Sequence, residues 1–113
     1  MRQRRLSPKR QAEFDEWIQR WSLRLDGPVL DWTGVFGREG DVVLDIGFGH
    51  GESTIEMAAA DPATDVIGVE VHIPGVVTVL DAIEHRDLDH IRLVHGDVLP
   101  FLDRVGPASL AGV

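Results

Sequence analysis

The sequence predicts an α/β fold built on a parallel sheet, with an amphipathic helix ahead of three strand-and-helix units. Three observations carry this expectation. Short apolar runs rich in β-branched residues alternate with segments of helical period. Glycines at alternate positions, Gly47, Gly49 and Gly51, follow the first of these runs. Each run ends at or beside an acid: Asp45, Glu70 and Asp97. Parallel strands joined by right-handed crossovers put their carboxyl ends on one edge, where ligands sit. The three acids therefore share the ligand edge.

The elements follow in order. Ser7-Pro8 reads as a helix start, serine at the N-cap and proline at the first helical position. Phe14, Trp17, Ile18, Trp21 and Leu25 then form one apolar stripe over about four turns, a stripe suited to core packing. Gly27-Pro28 stops that helix, and residues 29–40 form a connector. Val42, Val43, Leu44 and Ile46 make the first strand, apolar enough to be fully buried. After the glycine turn, a helix opens at Glu52 or Ser53, and Ile55, Met57, Ala58, Ala59 and Ala60 give it a small-residue face. Asp61-Pro62 ends it. Val66 to Glu70 is the second strand, and His72-Ile73-Pro74-Gly75 leads into a helix carrying Val76, Val77, Val79, Leu80 and Ile83. The polar run His85 to His90 closes that helix. Ile91, Leu93 and Val94 form the third strand, and Val98 to Val105 a last short helix. Leu110 to Val113 reads as the start of a fourth strand. Residues 1–40 are thus a basic arm, helix and connector, and residues 41–113 a partial α/β domain cut at its fourth strand.

Composition narrows the function classes. The 113 residues suit one modest domain, and 43% hydrophobic content with 27% charged residues fits a folded chain. With no cysteine there is no disulfide, thiolate metal site or cysteine nucleophile. The five histidines show no metal-ligand spacing, so no metal is expected. No apolar run approaches a membrane span, and the basic N-terminus has no apolar stretch behind it, so the expected location is the cytoplasm. The net charge of −8 is uneven: residues 1–12 carry +5 and the remainder −13. The basic arm is either a solvated terminus or a phosphate-contacting segment.

A glycine turn followed by an acid about 20 residues on is the pattern that holds a nucleotide's ribose. Glu70, 19 residues after Gly51, satisfies it. The spacing is G-x-G-x-G, however, with Glu52 where a dinucleotide site needs its third glycine. A carboxylate at the helix mouth repels pyrophosphate but tolerates the cationic amino-acid end of S-adenosylmethionine. Asp45 adds negative charge on the same side, and Asp97 is placed to accept a hydrogen bond from an adenine amino group. Gly47, Gly49 and Gly51 would let the ligand approach bare backbone. The set favours S-adenosylmethionine over a dinucleotide such as NAD. Any one of these acids alone could equally cap a turn.

The segments L-D-I-G-F-G-H-G-E-S (Leu44 to Ser53) and I-G-V-E-V-H-I-P-G-V (Ile67 to Val76) resemble the bacterial tRNA (guanine-N7-)-methyltransferase family. Phe48 within the turn and the run Glu70 to Gly75 are narrower than a general methyltransferase signature. Arg5-Leu6-Ser7, Gln11 and Phe36-Gly37-Arg38 also resemble that family. The resemblance implies a Rossmann-like methyltransferase fold, S-adenosylmethionine as cofactor, tRNA as partner, and Asp45, Glu70 and Asp97 as cofactor contacts. Where this chain has Asp45 the family usually has glutamate. Family members continue into a fourth strand ending in Pro-Asp-Pro-Trp, which is absent from these 113 residues. The expectation is therefore the N-terminal half of such an enzyme, inactive on tRNA by itself and prone to self-association through the exposed first strand. The alternative is a non-catalytic binding or interaction module that keeps half the fold. No catalytic residue is assigned, because guanine N7 is nucleophilic without deprotonation; His50, His72 and His95 have rim or packing roles.

Overall fold

The computed structural model describes residues 7–107 and 109–112. The elements run α1 (Pro8–Trp21), α2 (Trp32–Phe36), β1 (Val42–Ile46), α3 (Glu52–Ala60), β2 (Asp65–Glu70), α4 (Ile73–Arg86), β3 (Ile91–His95) and α5 (Val98–Leu102). The strands are parallel in the order β1-β2-β3, with Val42 opposite Asp65 and Val66 opposite Ile91. This is the expected α/β arrangement of three parallel strands with helices. Of the basic arm, Arg2, Arg4 and Arg5 lie outside the described residues.

Side-chain alternation along the strands divides the core into two layers. On one face α1, α3 and α4 pack through Trp17, Ile55, Val79 and Leu80 against Val66, Ile91 and Leu93. On the other, Val42, Leu44, Ile67, Val69 and Val94 meet Phe101 of α5 and Trp32 and Phe36 of α2. Phe48, from the glycine turn, lies over Gly68, where a Cβ would come within 3.0 Å of its ring. It plugs the first layer directly beneath the turn.

Ser7 starts α1 as expected, its hydroxyl accepting from the Arg10 N–H at 3.2 Å. The helix stops at Trp21, however, and Leu25 is not on its stripe. The Leu23 N–H donates to the Leu93 carbonyl at 2.7 Å, so the chain leaves the helix to pair with the outer side of β3. An open sheet edge offers backbone partners that a longer helix would leave unpaired. Leu25 consequently packs in the opposite layer, against Gly96. The connector holds the short α2, ended by left-handed Gly37.

The burial of two elements and the end of a third differ from expectation. β1 is only partly buried: Val43 and Asp45 are half-buried and Ile46 is 45% exposed at the carboxyl edge. Among the described residues its outer side carries a short pairing, Ala111 N–H to Val42 O at 2.8 Å and Leu44 N–H to Gly112 O at 3.0 Å. That parallel bridge does agree with a fourth strand starting beside β1. In α3 the packed residues are Thr54, Ile55 and Ala58, while Met57, Ala59 and Ala60 face outward. α5 ends at Leu102, not Val105: the N–H groups of Asp103, Arg104 and Val105 bond three residues back, to Pro100, Phe101 and Leu102, in place of the α-helical four.

Candidate functional site

The turn between β1 and α3 holds three left-handed glycines, Gly47 (φ 67°), Gly49 (φ 63°) and Gly51 (φ 92°). A side chain is strained at each. The three differ in their surroundings. A Cβ on Gly47 or Gly49 would meet nothing within 4 Å, so the space beside them is open. A Cβ on Gly51 would lie 2.5 Å from Val79 Cγ2. Gly51 is thus a packing position that caps α3 against α4.

Glu70, at the end of β2, is the tie that holds this turn. It is 8% exposed, and one carboxylate oxygen accepts the Gly49 N–H at 2.5 Å. The other accepts from Val71 at 2.8 Å and from His72 at 2.9 Å. Burial alone would raise its pKa, but the N–H groups of His72, Gly49 and Val71, with the nearby His72 ring, outweigh burial and hold it below the ordinary glutamate value. A carboxylate offers about four acceptor positions, so roughly one stays open to a ligand hydroxyl.

Asp97 accepts the Leu99 N–H at 2.9 Å through Oδ1 and so caps α5. It lines a cavity of about 230 Å³ together with Ile46, Gly47, Val69, Glu70, Val71, Gly96 and Val98. Two of the three acids and one glycine of the turn therefore meet in one hollow at the carboxyl edge. Gly49 and Gly51 line a second hollow, about 330 Å³, with Phe48, His50, Glu52 and Ser53. Asp45 lines neither; it turns toward α3, where the Thr54 hydroxyl donates to its Oδ2 at 2.5 Å. A larger hollow of about 540 Å³ lies beyond β3 between α1 and Leu25, away from the turn and the acids. Its volume does not outweigh the chemistry of the carboxyl edge.

Electrostatically the two ends of the sheet are opposites. At the amino end, Asp65 is 1% exposed and paired with Arg38 at 2.6 Å. That hydrogen bond to Asp65 is the main reason Arg38 holds its proton more tightly than an ordinary arginine. At the carboxyl end, none of the ion pairs among the described residues includes Asp45, Glu70 or Asp97. The titratable bases close by are histidines. His50 and His72 meet edge to face at 5.4 Å on the rim, and His95 Nε2 lies 3.2 Å from the Val71 carbonyl. No cluster of three or more acids or histidines placed to hold a metal occurs among the described residues. Nor is any helix among them long and apolar enough to cross a membrane.

The contacts of two residues at this site escaped sequence reasoning. Gly75 lies in the first turn of α4, and a Cβ there would fall 1.7 Å from the Gly49 carbonyl oxygen. A glycine inside an apolar helix pattern is the signal that could have found it. Thr54 is fully buried against Asp45, and nothing in its spacing announces that contact.

Residues 39–113 match the family described as "Putative methyltransferase". The chain is 43% identical over 104 residues to the tRNA (guanine-N(7)-)-methyltransferase of Xanthomonas campestris pv. campestris (strain 8004), covering 92% of this chain and 40% of that protein. It is 39% identical over 114 residues to the enzyme of that name from Chromobacterium violaceum, covering 100% of this chain and 50% of the relative. A Streptomyces coelicolor relative of the same name is 44% identical over 95 residues, 82% of this chain and 35% of its own length. The chain thus spans half or less of the length of these relatives. With the parallel sheet, the glycine turn and the match over residues 39–113, the chain belongs to the family described as "Putative methyltransferase".

Proposed function

We propose that this chain carries the S-adenosylmethionine half-site of a tRNA (guanine-N7-)-methyltransferase, which moves a methyl group to guanine N7 in tRNA. The observation that carries the proposal is the uncompensated acidic edge around an open glycine turn. A ligand that is cationic and free of phosphate suits such an edge; a dinucleotide does not. Glu52 opens α3 at the point where a pyrophosphate would need bare N–H groups and no negative charge. The names of the relatives from Xanthomonas, Chromobacterium and Streptomyces support the tRNA part of the reading.

The residues fit such a ligand in kind. The open acceptor position on Glu70 suits a ribose hydroxyl. The Oδ2 of Asp97, without an intrachain partner among the described residues, suits an adenine amino group. Ile46, Val71 and Val98 give the hollow between them apolar walls for a purine. Gly47 and Gly49 leave room where a Cβ would intrude. When bound, S-adenosylmethionine supplies an electrophilic methyl group on a sulfonium. Guanine N7 presents its own lone pair, so the chain's task is to hold, orient and exclude water, with no general base required. His50, His72 and His95 therefore receive no catalytic role.

Calorimetric titration of the chain with S-adenosylmethionine, S-adenosylhomocysteine and NAD tests this. Binding of the first two without NAD is the expected result. Binding of NAD in their place would overturn it.

A further inference from the structure

Among the described residues, Asp45 is the acid of the carboxyl edge that neither backbone nor base restrains. Glu70 is held by three N–H groups and Asp97 by one. Asp65, at the other end of the sheet, has Arg38. Asp45 has a single hydrogen-bond partner among those residues, the hydroxyl of Thr54. Thr54 is 0% exposed, on the first turn of α3, and its hydroxyl has no other acceptor there. A buried hydroxyl without a partner costs ~1–3 kcal/mol, so the two residues hold each other.

The exchange is unequal in a useful way. A neutral hydroxyl steadies Asp45 without neutralising it. The contact engages Oδ2 alone, leaving Oδ1 without an intrachain partner among the described residues. A half-buried carboxylate with a fixed rotamer and no counter-charge is prepared for an external cation.

We propose that Thr54 is a positioning residue: through its hydroxyl it fixes Asp45 to receive the ammonium group of the methyl donor's amino-acid end. This rests on the S-adenosylmethionine reading above and adds the residue that sets the reach of its first acid. The effect is confined to one end of the ligand. Thr54 does not line the hollow that Glu70 and Asp97 share, and those two acids belong to other elements.

Two ligands separate the ends. S-adenosylhomocysteine carries the amino-acid portion, whereas methylthioadenosine keeps the adenosine and thioether and lacks it. Calorimetry on the 113-residue chain and its Thr54→Val, Thr54→Ser and Asp45→Asn variants reads the difference. Thr54→Val and Asp45→Asn are expected to weaken S-adenosylhomocysteine roughly fivefold or more while methylthioadenosine stays within about twofold. Thr54→Ser, which keeps the hydroxyl, is expected to bind both as the unsubstituted chain does. Equal loss of both ligands in Thr54→Val with no rescue by serine would mean a merely structural threonine and overturn the proposal. So would unchanged S-adenosylhomocysteine affinity in Thr54→Val. If Thr54→Val does not fold, selective loss in Asp45→Asn with full binding by Thr54→Ser supports the proposal, and equal loss of both ligands in Asp45→Asn overturns it. An unsubstituted chain that binds neither ligand overturns the cofactor reading itself, and is told apart by that result.

Discussion

Glu70 accepts three backbone N–H groups with two oxygens, and this arrangement dictates what its removal does. In Glu70→Gln an amide NH₂ must face either the Gly49 N–H or those of Val71 and His72. One side becomes donor against donor in a site only 8% exposed. The expected loss is ~1–3 kcal/mol, measured by urea unfolding at neutral pH. The pH dependence has a definite sign. Because the folded pKa lies below the ordinary 4.5, the contribution is complete above that value and is lost as pH falls through the lower folded value. Below about pH 4.5 the unsubstituted chain should lose stability more steeply than Glu70→Gln. Equal slopes would show that these N–H groups do not hold a charged carboxylate. The sequence marked Glu70 as a ligand acid; that it also ties the glycine turn to the start of α4 was not legible. Those N–H donors belong to backbone whose placement follows from folding.

Between elements, the closest approach is that of α4 to the glycine turn. Replacing Gly75 by alanine favours the helix by ~1 kcal/mol in propensity. Against that, the new Cβ would sit 1.7 Å from the Gly49 carbonyl, a backbone atom that cannot swing aside. Overpacking costs ~1–3 kcal/mol, and a backbone clash belongs at the upper end. Gly75→Ala should therefore be net destabilising by ~2 kcal/mol in thermal unfolding and should open the turn that Glu70 holds. Gly34, in α2, is the control, since its Cβ would meet only the Asp31 side chain, nearest at 3.4 Å. Gly34→Ala should be neutral or stabilising by up to ~1 kcal/mol. Opposite signs for the two substitutions identify contact, not propensity, as the deciding effect.

Across the whole molecule, charge is divided between the two ends of the sheet. Arg38 binds both Asp65 and the Pro62 carbonyl, joining the connector to the start of β2. Arg38→Ala would leave Asp65 buried without its cation. A loss of stability is expected, smaller than for a fully buried pair because the guanidinium is 42% exposed. Substituting both partners with apolar residues of similar size should recover most of it, as chemical denaturation would reveal. The other global consequence concerns the sheet's edges. Among the described residues, Ser22 and Leu23 meet the outer side of β3 at Leu93, and Ala111 and Gly112 meet that of β1 over Val42 to Leu44, so each edge keeps unpaired backbone. We predict concentration-dependent self-association through β1, seen as a rising mass in sedimentation velocity. A single monomer species at every concentration would count against it.

The sequence by itself determined the alternation of strands and helices, the left-handed glycine turn and the acids at the strand ends. These follow from short-range rules: the side-chain period, the φ that glycine permits, and the capping preferences of serine, proline and aspartate. Only the tertiary structure decided where α1 stops, which acid holds the turn, and which acid is left for a cation. Leu23 meets Leu93, Arg104 meets Leu30, and Arg38 meets Asp65 across long stretches of chain. Even Thr54 and Asp45, nine residues apart, meet only because α3 folds back over β1. A hydrogen bond depends on ångström-scale placement that local pattern does not encode. Asp45, Glu70 and Asp97 looked alike in the sequence, yet each ended with a different set of partners.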